Sequence, residues 1–269
     1  LKQVGGRNAP TVYNAAGHIA AFWDGRSPDV EDQAKGPPLN QIEMAMPSEA
    51  EVVAVLKSIP GYVPLFAAAF PDDEEAISYD NMAKAIGAFE RGLVTPTGFD
   101  HYLAGDNQAL DNTELAGLTA FLDAGCGTCH SGPYLGGLMF QKLGLEKPWD
   151  DDEDQGRFEI TGKESDSQVF KEPSLRNVAE TGPYFHKGSV TTLDEAVRLM
   201  ADHQVGTSVT DEQVKAIVSF LNSLTGDIDL AYIERPELPK SSDSTPPPLA
   251  IPTLTPRPDA LPEPVATAS

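Results

Sequence analysis

The sequence predicts an all-α fold with long connecting loops, on three observations. Apolar residues recur at helical spacing in five separate stretches. No stretch alternates apolar and polar residues as a half-buried strand does. The segments around 1–47 and 131–190 are rich in Gly and Pro.

The elements follow in chain order. Ser48 and Glu51 have capping-box spacing and open a helix with Val52, Val55 and Leu56 on one face. Met82, Ile86, Phe89 and Leu93 make the stripe of a second helix. Leu115, Leu118, Phe121 and Leu122 make a third, and Gly125 ends it, because glycine alone takes a left-handed cap at no steric cost. Thr192 and Glu195 open a fourth, which carries Leu193, Val197 and Met200. Thr210 and Gln213 open a fifth, where Val214, Ile217, Val218, Leu221 and Leu224 form the clearest stripe in the chain. Loops as long as 131–190 within a compact domain usually serve a function, and here they are expected to wrap a bound group.

A division near Asp106 separates an N-terminal unit, residues 1–105, from a C-terminal unit, 106–235. Residues 236–269 differ in kind: they hold 10 of the 23 prolines and no aromatic residue. Such a segment buries too little apolar surface to offset the entropy of ordering, and is expected to be disordered or extended. The acidic run Asp150–Asp154 reads as a solvated insert rather than a docking patch.

Lys and Arg number 19 and Asp and Glu 41, a formal charge of −22. That excludes a nucleic-acid binder, which needs a basic face, and favours a small molecule or a basic protein as partner. No apolar run approaches membrane-span length. The chain opens Leu1-Lys2-Gln3, without an initiator Met or signal peptide, and reads as a fragment or processed form.

Chemistry enters at Cys126-Gly127-Thr128-Cys129-His130, the C-x-x-C-H signature of c-type haem attachment. Two thiols three positions apart reach the two vinyl groups on a porphyrin edge, and the adjacent His becomes an axial ligand. A structural zinc site would need a second ligand pair, and a thioredoxin-like dithiol a βαβ setting; the sequence has neither. The helix before the motif, the long loop after it and the strong final helix follow the order of a cytochrome c domain. For the sixth ligand, Met139 leaves a tight path round the haem and Met200, just ahead of the last helix, is better placed. His186 and His203 are rivals.

Several stretches carry a wider resemblance: Gly6-Arg7-Asn8-Ala9-Pro10-Thr11-Val12, Phe22-Trp23-Asp24-Gly25-Arg26, Asp32-Gln33-Ala34-Lys35-Gly36-Pro37, Ile42-Glu43-Met44, Tyr79 to Ile86, Pro173 to Val178 and Thr181 to His186. Across about residues 5 to 226 the sequence resembles the bacterial dihaem cytochrome c peroxidases, relatives of the methylamine-utilisation dihaem enzymes. The resemblance implies two cytochrome-c-like domains. It implies reduction of hydrogen peroxide to water in the periplasm, with electrons from a small cytochrome c or a copper protein (cupredoxin), in a protein that is often a homodimer. By similarity, Cys126, Cys129, His130 and Met200 hold the haem that receives electrons, and Trp23 stands on the path to a second haem. Glu43 is the acid–base residue of the peroxide pocket and Gln33 its polar neighbour. Calcium is held between the domains by the Asn8 side chain and the carbonyls of Thr181 and Pro183. The family's first attachment motif lies upstream of its Gly-Arg-Asn stretch and is not in this chain, so the first domain is expected to be incomplete and the chain to carry one haem. Two alternatives stand beside the peroxidase: a mono-haem electron carrier, and a dihaem relative that oxidises protein side chains, against which Met200 speaks because a Tyr sixth ligand would favour it.

Overall fold

A computed structural model describes residues 4–149 and 153–247. The described residues are dominated by helices: α1 (Val30–Ala34), α2 (Gly36–Leu39), α3 (Glu49–Lys57), α4 (Tyr62–Ala69), α5 (Tyr79–Arg91), α6 (Gly98–Leu103), α7 (Asn112–Asp123), α8 (Phe158–Thr161), α9 (Leu193–Leu199) and α10 (Asp211–Asn222). Among them no single helix is long and apolar enough to cross a membrane.

The core lies where α7 crosses α10. Val214, Ile217, Phe220 and Leu224 are almost wholly buried, and the Phe220 ring meets Phe99 edge-on at 5.3 Å and Phe121 at 5.4 Å. The helices approach so closely because α7 offers Gly117: a Cβ there would stand 1.9 Å from the Ala216 carbonyl oxygen. Both helices begin with reciprocal capping boxes, Asp111 with Glu114 and Thr210 with Gln213. Ser48 and Thr192 cap α3 and α9 as the sequence predicts, through the amides of Glu51 and Glu195.

Three features depart from the sequence reading. On α5 the buried face is Tyr79, Ala83, Gly87 and Glu90, whereas Ile86 (37% exposed) and Phe89 (46% exposed) point outward. The helix turns its small residues inward so that α1 can approach, and the Glu31 carboxylate lies over Gly87. Phe89 is covered instead by Tyr232, stacked at 5.2 Å. Leu122 likewise faces outward from α7, 57% exposed. The long loops hold an antiparallel pair, β1 (Phe140–Lys142) with β2 (Val169–Lys171), with Gln141 opposite Phe170. Three residues are too few to display a period of two. The same brevity hid α1, α2 and α8.

The acidic run is not wholly solvated. Asp154 is 8% exposed and receives Arg7 Nε at 2.7 Å and Nη2 at 2.6 Å, so it ties the middle of the chain to its start. Asp150 to Asp152 lie outside the described residues. The Pro-rich segment starts out docked rather than free: Pro239 lies against Gly61, and Ser242 Oγ donates to the Ser58 carbonyl at 2.8 Å. The remainder, residues 248–269, also lies outside the described residues.

Candidate functional site

Gly125 (φ +86°) turns the chain out of α7 into a 3₁₀ turn, Cys126–Thr128, which delivers Cys126, Cys129 and His130 to the wall of one cavity of about 180 Å³. The His130 amide donates to the Cys126 carbonyl at 3.0 Å and fixes the turn. Both thiols are free, and burial raises the pKa of Cys126 above the usual value. Burial holds the His130 imidazole down at a pKa of about 4, against the opposing pull of the Leu135 and Pro173 backbones. Its Nδ1 is shielded from solvent without a hydrogen bond. A neutral imidazole is the form that binds iron.

The same cavity receives Leu193, Val197 and Met200 from the α9 segment, and Ile217 and Leu221 from α10. Met200 begins a π-helical turn, Met200–Val205. Of the rival axial groups, His186 also lines the cavity, stacked on Phe170 at 4.5 Å. His203 does not: its Nδ1 lies 3.1 Å from the carbonyl oxygens of both Lys147 and Pro148, and its ring packs against Trp149. Met139 is not on the cavity lining, although its backbone is tied to Glu172, which is.

A second cavity, about 500 Å³, brings together Trp23, Gln33 and Glu43. Glu43 is exposed and accepts from Asn40 Nδ2 at 2.8 Å. Asn8, Thr181 and Pro183 line this cavity too. Asn8 donates through Nδ2 to the Pro183 carbonyl at 2.7 Å and through its amide to the His186 carbonyl at 2.6 Å. Its own carbonyl accepts from Trp23 Nε1 at 2.9 Å. Trp23 lines both cavities, as a wall common to the two.

Three polar groups around these cavities went unassigned in the sequence. Arg7 bridges Asp24 (2.5 Å) and Asp154, and those carboxylates hold its guanidinium firmly charged. Arg176 grips Asp100 through two bonds of 2.8 and 2.5 Å and donates to the Pro133 carbonyl at 2.7 Å, which pins the loop after the Cys pair. Both arginines lie inside stretches quoted above, so the sequence marked the place without the role. The third is a pair, Lys171 and His18, which no motif flags.

A family model described as di-haem cytochrome c peroxidase matches residues 1–108. The chain is 47% identical over 251 residues to a cytochrome c551 peroxidase of Pseudomonas aeruginosa, covering 91% of this chain and 72% of that one. It is 43% identical over 246 residues to a cytochrome c551 peroxidase of Nitrosomonas europaea, again covering 91% and 72%. Among solved structures, a MauG-like protein associated with microbial copper homeostasis superposes with a TM-score of 0.73 at 30% identity, over 83% of this chain and 76% of that one.

Proposed function

The chain belongs to the di-haem cytochrome c peroxidase family, and from that premise we propose that it reduces hydrogen peroxide to water with electrons from a small cytochrome c or a cupredoxin. The observation that carries this is the shared wall: Trp23 separates the cavity holding the Cys pair from the cavity holding Gln33 and Glu43.

The first cavity fits a haem c: it is mainly apolar, with two free thiols, a neutral imidazole and a thioether on its walls. Cys126 and Cys129 would form the thioethers, and His130 and Met200 would hold the iron. Such a haem supplies one-electron transfer, with a potential raised by the Met ligand relative to a second His. The protein's own groups do the rest. Leu193, Val197 and Leu221 exclude water from the pocket. Trp23 offers a conjugated side chain between the cavities.

Glu43 is the proton carrier of the second cavity. Cleaving the O–O bond of peroxide to water requires a proton on the departing oxygen, and a carboxylate within reach can take it from one oxygen and give it to the other. Gln33 orients the bound peroxide by hydrogen bonding.

The oxygen groups of Asn8, Thr181 and Pro183 fit calcium, a hard cation. Rotation of the Asn8 amide presents its oxygen where Nδ2 now meets the Pro183 carbonyl, so the two residues can act together. We place the working protein in the periplasm, as a homodimer, with an N-terminal domain over residues 1–105, a C-terminal electron-entry domain over 106–235 and a Pro-rich tail beyond.

The test is peroxide-dependent oxidation of reduced cytochrome c by protein matured with covalent haem, with any residues encoded ahead of Leu1 included. Glu43→Gln should lower kcat by roughly 10²–10⁴-fold, the usual worth of a general acid–base group. Full activity in that variant would overturn the assignment of Glu43. Covalent haem with no peroxide turnover at all would favour the electron-carrier reading.

A further inference from the structure

Lys171, at the end of β2, is 7% exposed, yet its ammonium has no carboxylate partner among the described residues. The neighbouring Glu172 is spent elsewhere: it accepts the amides of Leu138 and Met139 at 3.2 and 2.7 Å. Nζ of Lys171 meets one group, His18 Nδ1, at 3.5 Å. If the ammonium donates there, a neutral His18 carries its proton on Nε2, and that buried nitrogen has no partner either. Burial, and then the Lys171 charge, keep the ring neutral, with a pKa of about 4. Two adjacent side chains therefore offer unused N–H donors in a buried place, an arrangement that is costly unless an acceptor completes it.

The position identifies the acceptor. Lys171 lines both cavities, as Trp23 does, and its amide donates to the Trp23 carbonyl at 2.8 Å. The thiols that would fix the porphyrin come from the turn after α7 and line the same cavity. A haem c is joined to protein through its vinyl edge, and its carboxylates are carried on the opposite edge. On the haem reading above, those carboxylates are the anionic groups that must be accommodated in an otherwise apolar pocket.

We propose that Lys171 is the receptor for a propionate carboxylate of the haem attached at Cys126 and Cys129, and so holds that edge of the porphyrin toward Trp23, while His18 lines the cavity of Gln33 and Glu43 instead. Lys171 is the buried cation of that lining, Lys142 being exposed, and the carboxylate turns its ammonium into half of an ion pair. Lys171 is here a positioning residue: it sets where the haem edge lies relative to the wall between the cavities.

The experiment uses this 269-residue chain, matured in a host that attaches haem c. With one C-x-x-C-H, all redox signals come from that haem. Parent, Lys171→Arg and Lys171→Gln proteins are compared for haem per chain, midpoint potential and the redox-difference infrared spectrum with ¹³C-labelled propionates. Lys171→Gln should shift the labelled carboxylate band and lower the potential, because a lost cation leaves the ferric state favoured; Lys171→Arg should restore both. A labelled band that stays in place in Lys171→Gln overturns the proposal, even if the potential moves. So does Lys171→Arg behaving as Lys171→Gln does. Failure of the parent chain to take up covalent haem would instead sink the haem reading itself, on which this inference rests.

Discussion

Met200 and His186 both reach the cavity of the Cys pair, and their environments separate them. His186 packs against Phe170 and Trp23, whereas Met200 stands at the start of a widened helical turn that follows α9. Met200→Ala should therefore leave the haem high-spin or open to added ligands and lower its potential, while His203→Ala leaves the spectrum unchanged; visible spectroscopy with redox titration checks both. A second residue-scale test concerns Asp100. The Arg176 guanidinium, then the Thr97 backbone and hydroxyl, bring its pKa from 3.8 down to about 2. A carboxylate depressed in the folded state contributes stability at pH values above the unfolded pKa, and loses it as pH falls from about 4 through about 2. Asp100→Asn should cost about 1–2 kcal/mol at pH 7, allowing for the screening of a partly exposed group. The loss should vanish near pH 2, as acid and urea titrations of both proteins would show.

At the scale of elements, the long amphipathic helices were legible and the short ones were not. Val214, Ile217, Leu221 and Leu224 could be read directly because α10 shows three turns of one stripe, whereas β1 and α8, at three and four residues, carry no period. The α5 stripe misled for another reason. Periodicity identifies an apolar face, but steric fit against α1 selected the small-residue face of Ala83 and Gly87 instead. The site divides the same way. Contiguous Cys126 to His130 could be read as a motif locally. Lys171 and His18, 153 positions apart, meet only through the fold and give no local signal. The α7–α10 crossing makes its own prediction. Gly117→Ala drives a methyl into the Ala216 carbonyl and should cost about 1–3 kcal/mol or more. Thr210→Ala, which removes only a cap, should cost about 1 kcal/mol. Thermal unfolding of the two variants would rank them.

For the whole molecule, charge and metal are the levers. A formal charge of −22 would steer a basic donor from a distance, so with a basic cytochrome c as donor kcat/KM should fall as salt rises from 10 to 200 mM, roughly through the contraction of the Debye length from about 30 Å to under 10 Å. A rate indifferent to salt would argue for an apolar docking face. Calcium, if bound at Asn8, Thr181 and Pro183, binds the folded state alone, and at a hundredfold excess over Kd it adds about 2.7 kcal/mol. Chelation should lower Tm in the parent and leave Asn8→Ala unchanged, since that variant has already lost its side-chain oxygen.

Trp23, Lys171, Pro173, Val178, Tyr184 and Phe185 each line both cavities. These six positions serve two masters, which is a constraint on inheritance. A substitution that suits the cavity of the Cys pair is felt at once in the cavity of Gln33 and Glu43, and the reverse. Drift at any one of them is tolerable only with a matching change on the far side of the wall. Among descendants of a common ancestor, the partition should therefore change as a block or not at all, while residues lining a single cavity, such as Gln33 or Leu193, diverge one by one.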